Sequence, residues 1–290
     1  MKQNKQTVHG SLPDRVFEPS KGWQMLDFAE LYRYRDLFRF LVWRDIKGKY
    51  AQTILGFAWA ILRPLFSMII FTVIFGKLAE MPSDGIPYPI FSFCAMVPWI
   101  YFSTSLTGAT NSLISGKSLI TKVYFPRLFV PLTPVFGSLV DFLIAMVMLG
   151  VLMLPFRIIP TANIVFLPFL VLLMILSASG MGMWLSALAI QYRDIRFAMQ
   201  FVIQLLMYAS PVVWPSSLIV EKMPVWGTKF RIIYGLYPMA GVIEGFRAAI
   251  IGKTAMPWDL IGMGTVSAVF LFVSGAFYFK RMERIFADVA

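Results

Sequence analysis

Six long apolar stretches follow one another between Leu55 and Phe279, and almost no charge interrupts any of them. The hydrocarbon core of a bilayer is about 30 Å thick, which takes about 20 helical residues to cross. Backbone groups in lipid have no water to bond, so stretches of this kind must be helices. The expectation is an all-α integral membrane protein with six transmembrane helices. Composition agrees: 58% of the residues are hydrophobic and 14% charged, and a mean hydropathy of +0.72 lies in the membrane class. Whatever the chain does must be read from the places where polar residues break the apolar pattern.

The spans are placed at 55–75, 88–113, 128–154, 164–190, 197–214 and 260–279. An even number puts both termini on one side of the membrane. With the ends inside, the inner side carries 18 Lys and Arg residues against 7 outside. The short inner loops at 117–127 and 193–196 carry the bias that matters most, so both termini are expected in the cytoplasm. A formal net charge of +11 raises nucleic acid as a partner. The cations crowd the flanks of the spans instead, where they meet anionic membrane lipids, and no nucleic acid is expected. Cys94 is the only cysteine, which excludes an intrachain disulfide and a cysteine-built metal centre. The first 50 residues are polar and lack a short apolar core with a small-residue cleavage site, so no cleaved signal peptide is expected.

Three segments have their own character. Residues 1–22 read as a flexible cytoplasmic tail, 23–53 as an amphipathic interface helix, and 54–290 as the membrane domain. In the helix, Leu31, Tyr34, Phe38 and Leu41 recur at steps of three and four while Arg35 and Arg39 point elsewhere, one apolar stripe on a charged cylinder. Such a stripe rests on the inner membrane surface or on a cytoplasmic partner. The outer segment 215–259 is too apolar for a solvated loop, yet it is broken by Gly235, Pro238, Gly241, Glu244, Gly245 and Arg247. Broken backbone at membrane depth must face protein or water, so a pair of re-entrant outer helices is expected between spans five and six. Gly241 and Gly245, one turn apart, permit close helix contact. The third segment, residues 111–127, contains Gly116-Lys117-Ser118, like the end of a phosphate-binding loop. That loop needs a glycine where the chain has Asn111 and should follow a strand, so a nucleotide site is rejected in favour of a short helix crossing the cytoplasmic end of the bundle.

Several fragments stand together in a telling order. Arg44-Asp45-Ile46-Lys47 precedes Leu55-Gly56, with Trp59 and Pro64 beyond. Lys122-Val123-Tyr124-Phe125-Pro126-Arg127 lies between spans two and three, and Gln191-Tyr192-Arg193-Asp194-Ile195 ends span four. Tyr237-Pro238-Met239 and Glu244-Gly245-Phe246-Arg247 mark the outer element. With six spans, these fragments resemble the membrane-spanning permease subunit of a type-2 ABC exporter for polysaccharide, the family that moves O-antigen, capsule and teichoic acid. The resemblance runs from about residue 37 to the C-terminus. It implies a homodimer in the bacterial inner (cytoplasmic) membrane, with two ATP-binding cassette ATPase subunits beneath it and a lipid-linked polysaccharide as substrate, most simply O-antigen.

ATP and Mg would belong to the separate ATPase; no cofactor or metal is expected on this chain, which is not itself an enzyme. Residues 23–53 would form the gate helix. Ser115, Lys117, Leu119, Lys122, Tyr124 and Arg127 would couple to the ATPase, with Tyr192, Arg193 and Asp194 as a second contact. These residues offer both charge and packing anchors, although the cations also serve simply to orient the spans.

A sugar polymer needs a water-tolerant path with flat surfaces, which aromatic rings supply. Tyr88, Trp99, Tyr101, Trp214, Trp226, Tyr234 and Tyr237 gather toward the outer ends of the spans, as interfacial aromatics also do in any membrane protein. Charges inside spans are functional candidates: Asp141 either faces a channel or pairs with a neighbouring helix, and Arg63 can snorkel to the inner interface. Glu244 and Arg247, three apart, form a local pair or help gate the outer mouth. A membrane-bound glycosyltransferase would need clustered carboxylates or histidines at a membrane face. The single histidine, His9, lies in the tail, and Asp194 is the only acid of the inner loops. An exporter of a small lipid or drug on the same scaffold, or of capsular polysaccharide or teichoic acid, is the nearer alternative.

Overall fold

Helix α4 (Tyr88–Ser115) is the post around which the other elements stand. Its apolar window is 78% buried inside the chain, against 11–39% for the other four helices long enough to cross a membrane. The computed structural model describes residues 28–51, 56, 58–122, 124–223, 226–283 and 286, and every regular element among them is helical. The tail 1–22, the start of the interface helix at 23–27, Leu55 and Val123 lie outside the described residues.

In chain order, α1 (Phe28–Arg33) and α2 (Arg35–Tyr50) precede α3 (Ala58–Phe71), which continues as a wider π-helical turn to Leu78. After α4 come α5 (Lys117–Lys122), α6 (Phe129–Gly137), α7 (Leu139–Met153), α8 (Leu167–Gln191) and α9 (Asp194–Ala209). The outer pieces α10 (Ser217–Lys222), α11 (Gly227–Tyr234) and α12 (Pro238–Ile250) lead to α13 (Trp258–Met282). Among the described residues, five helices are long and apolar enough to cross a membrane: Ala58–Leu78, Tyr88–Ser115, Phe129–Met153, Ala162–Gln191 and Trp258–Met282.

Apolar helices in lipid gain nothing from hiding from water, so they associate where small residues let backbones touch. A Cβ on Gly180 of α8 would stand 2.6 Å from the backbone of Leu271 and Phe272 in α13. Gly241 of α12 meets the Leu260 backbone of α13 in the same way, at 2.7 Å, and Gly245 meets Leu170 of α8 at 2.8 Å. The two glycines singled out from the sequence thus seat α12 against two spans. All thirteen residues of α12 are buried.

The third span bends between α6 and α7. Pro134 has no N–H to give, and Ser138 donates its hydroxyl to the Pro134 carbonyl at 2.8 Å. Helix α2 lies against this bend, where Gly137 leaves room for the Asp45 carboxylate. Lys49 pairs with Asp45 at 3.2 Å and donates to the Ser138 hydroxyl at 3.2 Å. The stripe read from α1 and α2 also rests on the bundle: Leu41 is 2% exposed, and Phe38 stacks on Phe129 with centroids 4.9 Å apart. That face therefore packs on the chain's own helices. The aromatics that remain outside are Tyr32, Phe40 and Trp43, with Arg35 over the Tyr32 ring and Lys47 over that of Trp43.

The expected fifth span, 197–214, is shorter than the sequence suggested. Pro211 disfavours helical backbone at the residue before it, and Ser210 is extended at ψ 150. Helix α9 therefore stops at Ala209 after 16 residues, about 24 Å of rise. The turn beyond it leaves carbonyls open, and side chains from other elements take them. Tyr234 donates to the Ala209 carbonyl at 2.5 Å, Tyr88 to that of Val213 at 2.9 Å, and Arg247 to that of Val212 at 2.9 Å. Arg247 also donates to the Phe91 carbonyl at 3.3 Å, lies over the Phe91 ring and pairs with Glu244 at 3.4 Å. Glu244 in turn accepts the Ser216 backbone N–H at 2.7 Å. The two charges read from the sequence as a local pair are thus also the clamp of this broken turn.

Removing one partner of a buried ion pair strands the other and costs about 3–5 kcal/mol. Arg247→Met should lower the thermal unfolding midpoint of the detergent-purified protein markedly. Arg247→Met with Glu244→Met should recover part of that loss. A single variant as stable as the parent would show that the clamp is not holding the turn.

Candidate functional site

The C-terminal end of α4 turns at Gly116 into the six-residue α5, so a short helix stands where the sequence placed one. Of the nine residues read there as a docking surface, some face outward and others inward. Lys117, Lys122, Tyr192, Arg193 and Asp194 are exposed, as is Ser115, whose hydroxyl donates to the Asn111 carbonyl at 3.1 Å. Asp194 opens α9, where a negative charge suits the positive end of the helix. Leu119 instead packs on the inner hydrophobic cluster, which includes Phe125, Phe129 and Phe279. Arg127 donates to the Glu283 carbonyl at 2.6 Å, joining the crossing segment to the end of α13. Tyr124 is 68% exposed and donates to Glu30 of α1 at 3.4 Å. Arg127 and Leu119 are therefore internal ties, and Tyr124 bridges to the interface helix.

Above this platform a groove of about 770 Å³ opens between α2, α3, α4 and α6. Arg44, Asp45 and Lys49 of α2 line one wall, with Arg63 of α3 beside them. Along α4, Ser103, Thr107, Asn111 and Ser115 follow at steps of four, so they form one polar strip along the helix. Each donates to a carbonyl of its own helix: Ser103 to Ile100 at 3.1 Å, Thr107 to Ser103 at 2.8 Å, Asn111 to Thr107 at 2.9 Å and Ser115 to Asn111. The sequence reading singled out Ser115 and Arg63 but missed the strip. Its period of four was legible between Trp99 and Gly116, and Asn111 was noticed only as a residue that is not glycine.

The aromatic path divides sharply. Trp99 and Tyr101 are 3% and 2% exposed, and Tyr88 is buried with them, because the first half of α4 is buried among the other helices. Rings held this way present no face to a passing polymer within the protomer, which corrects the expectation for these three. The Tyr101 hydroxyl donates to the Val135 carbonyl at 3.2 Å. Tyr237 shares a hydrogen bond with Ser210 at 3.0 Å, and with Tyr88 and Tyr234 it holds the broken turn. Trp214 is half-buried and lies 5.7 Å from the Tyr234 ring, beyond the helix it was expected to close. Trp226 is 65% exposed, with the Lys229 ammonium 5.1 Å from its ring centre. Asp141, near the start of α7, makes no salt bridge among the described residues, and Lys49 is the opposite charge that acts on it most.

Comparison with known proteins accords with this architecture. Over 258 residues the chain is 29% identical to an O-antigen export system permease protein, RfbA, of Myxococcus xanthus, covering 88% of this chain and 96% of that protein. It is 25% identical over 255 residues to a protein of the same description from Klebsiella pneumoniae, covering 88% and 95%. A shorter stretch of 76 residues is 26% identical to the polysialic acid transport protein KpsM of Escherichia coli, covering 26% of this chain and 30% of that one. The family description "ABC-2 type transporter" matches residues 36–251, from α2 through the re-entrant α12. This chain belongs to the ABC-2 type transporter membrane family.

Proposed function

We propose that this chain is the permease subunit of an ATP-driven exporter that carries lipid-linked O-antigen across the bacterial inner membrane. The observation that carries the reading is its end-to-end similarity to relatives named as O-antigen export permeases. The polar groove beneath α4 supports it, since a saturated hydrocarbon cargo would have no use for a strip of hydroxyl and amide groups. Capsular polysaccharide is the second reading, favoured by the partial match to a polysialic acid transport protein. In the working assembly two copies of the chain stand over two ATPase subunits, which bind ATP and Mg, and both termini lie in the cytoplasm. A bacterial strain lacking this gene should lose surface O-antigen and accumulate lipid-linked polymer inside. Unaltered surface O-antigen in that strain would contradict the cargo assignment.

The coupling step follows from the exposed side chains at the inner face. ATP-driven closure of the ATPases pushes on α5 and on the turn before α9. Arg127 and Tyr124 pass the displacement to the end of α13 and to α1 through the contacts they make. Charge complementarity sets how two such surfaces find their register. Lys122→Glu combined with Arg193→Glu should therefore reduce export by about ten-fold or more, the equivalent of roughly 1.4 kcal/mol or greater. Membrane levels of the protein should stay unchanged. Export at the parental level in the double variant would remove the docking role from these two cations.

A further inference from the structure

We propose that the groove at the inner end of α4 is a composite site for a phosphorylated glycolipid head, with its cations on the phosphate and the α4 strip on the first sugars. The proposal rests on the export reading above and deepens it. Arg44, Lys49 and Arg63 line the groove against a single acid, Asp45, which is already matched by Lys49 at 3.2 Å. Arg44 and Arg63 make no ion pair or hydrogen bond among the described residues. Two exposed guanidinium groups without protein partners, lining a groove of mixed polar and apolar walls, favour an anion that accepts several hydrogen bonds.

The strip supplies the complementary chemistry. A Ser or Thr hydroxyl has one proton to give and two lone pairs to receive. At Ser103, Thr107 and Ser115 the proton is spent on carbonyls within α4, as small hydroxyl residues in helices do. Asn111 commits its amide nitrogen to Thr107, leaving its oxygen without a donor from α4. Toward the groove the strip is therefore a row of acceptors, one per helical turn and about 6 Å apart. Each sugar hydroxyl brings a proton of its own to donate and can bond to such a row. A phosphate cannot, because it brings acceptors only, so the anion belongs at Arg44 and Arg63. The cations lie on α2 and α3, beside the strip rather than within it, which orders a head group with phosphate toward the interface helix and sugar along α4.

The test uses the full transporter, this chain with its ATPase, in phosphatidylcholine nanodiscs. Three probes are compared: a fluorescent prenyl diphospho-disaccharide, the same prenyl disaccharide with an ether link in place of the diphosphate, and phosphatidylglycerol as competitor. The parent should bind the diphosphate probe about ten-fold more tightly than the ether analogue, as a charge-assisted hydrogen bond implies. Arg63→Gln with Arg44→Gln should abolish that difference, and Arg63→Lys should restore much of it, which also reports that the fold survives. Thr107→Val with Asn111→Leu should weaken both glycolipid probes and leave phosphatidylglycerol binding unchanged. Unchanged diphosphate binding in the arginine variant overturns the proposal. So does phosphatidylglycerol that displaces the glycolipid equally well before and after the strip is altered, since the site would then read a phosphate alone. Arginine-dependent binding in a strain whose surface O-antigen does not need this chain would retain the site and discard the O-antigen cargo. Normal O-antigen export with arginine-independent binding would do the reverse.

Discussion

The carbonyl groups opened where α9 ends are the constraint on which the half of the protein around α12 depends. Pro211 disfavours helical backbone at Ser210, where the helix stops, and in lipid no water is at hand to satisfy what the break exposes. Tyr88, Tyr234 and Arg247 each reach in from a different element to take one carbonyl, and Glu244 takes the Ser216 amide. A 16-residue helix is thus followed by a clamped turn, and α12 is held inside the bundle because two of its side chains form the clamp. Arg247 is 1% exposed and Glu244 7%, so a displacement that parts them strands a buried charge at considerable cost.

The inner half is joined by a different class of contact. Tyr124 meets Glu30 at 3.4 Å on an exposed surface, Lys280 meets Glu283 at 2.8 Å where the lysine is 42% exposed, and Lys49 meets Asp45 at partial exposure. Exposed pairs of this kind contribute from nothing to about 1 kcal/mol. The ties around α5 are therefore weaker than the buried clamp at the opposite end of α4. The same asymmetry places the polar groove on the side where helices separate most cheaply, and it follows from where buried charge sits rather than from helix length.

Much of this was legible in the residues. Hydropathy located the five full spans, and glycines and a proline marked the broken outer element. The spacing of Leu31, Tyr34, Phe38 and Leu41 marked a helix with one buried stripe. What that stripe rests on was not legible, since an apolar face is the same whether lipid, a partner or the chain's own α6 covers it. The fate of the aromatics was hidden for a related reason. Tyr88, Trp99 and Tyr101 sit near the outer half of an apolar helix, as interfacial residues do, and only the central position of α4 buries them. The end of α9 was written plainly in Pro211 but was overrun by the apolar residues Val212, Val213 and Trp214 beyond it. The α4 strip was missed because serine and threonine barely disturb hydropathy, and only their period of four carries the message.

The account requires the crossing helix inside and the clamped, re-entrant element toward the outside. Cys94 is the only cysteine in the sequence and is fully buried, so single cysteines report without background. Lys122→Cys and Lys229→Cys, both at exposed positions, would be treated with a membrane-impermeant maleimide in spheroplasts. The account predicts labelling at position 229 in intact spheroplasts and at position 122 only after permeabilisation. Labelling of position 122 from outside would contradict it.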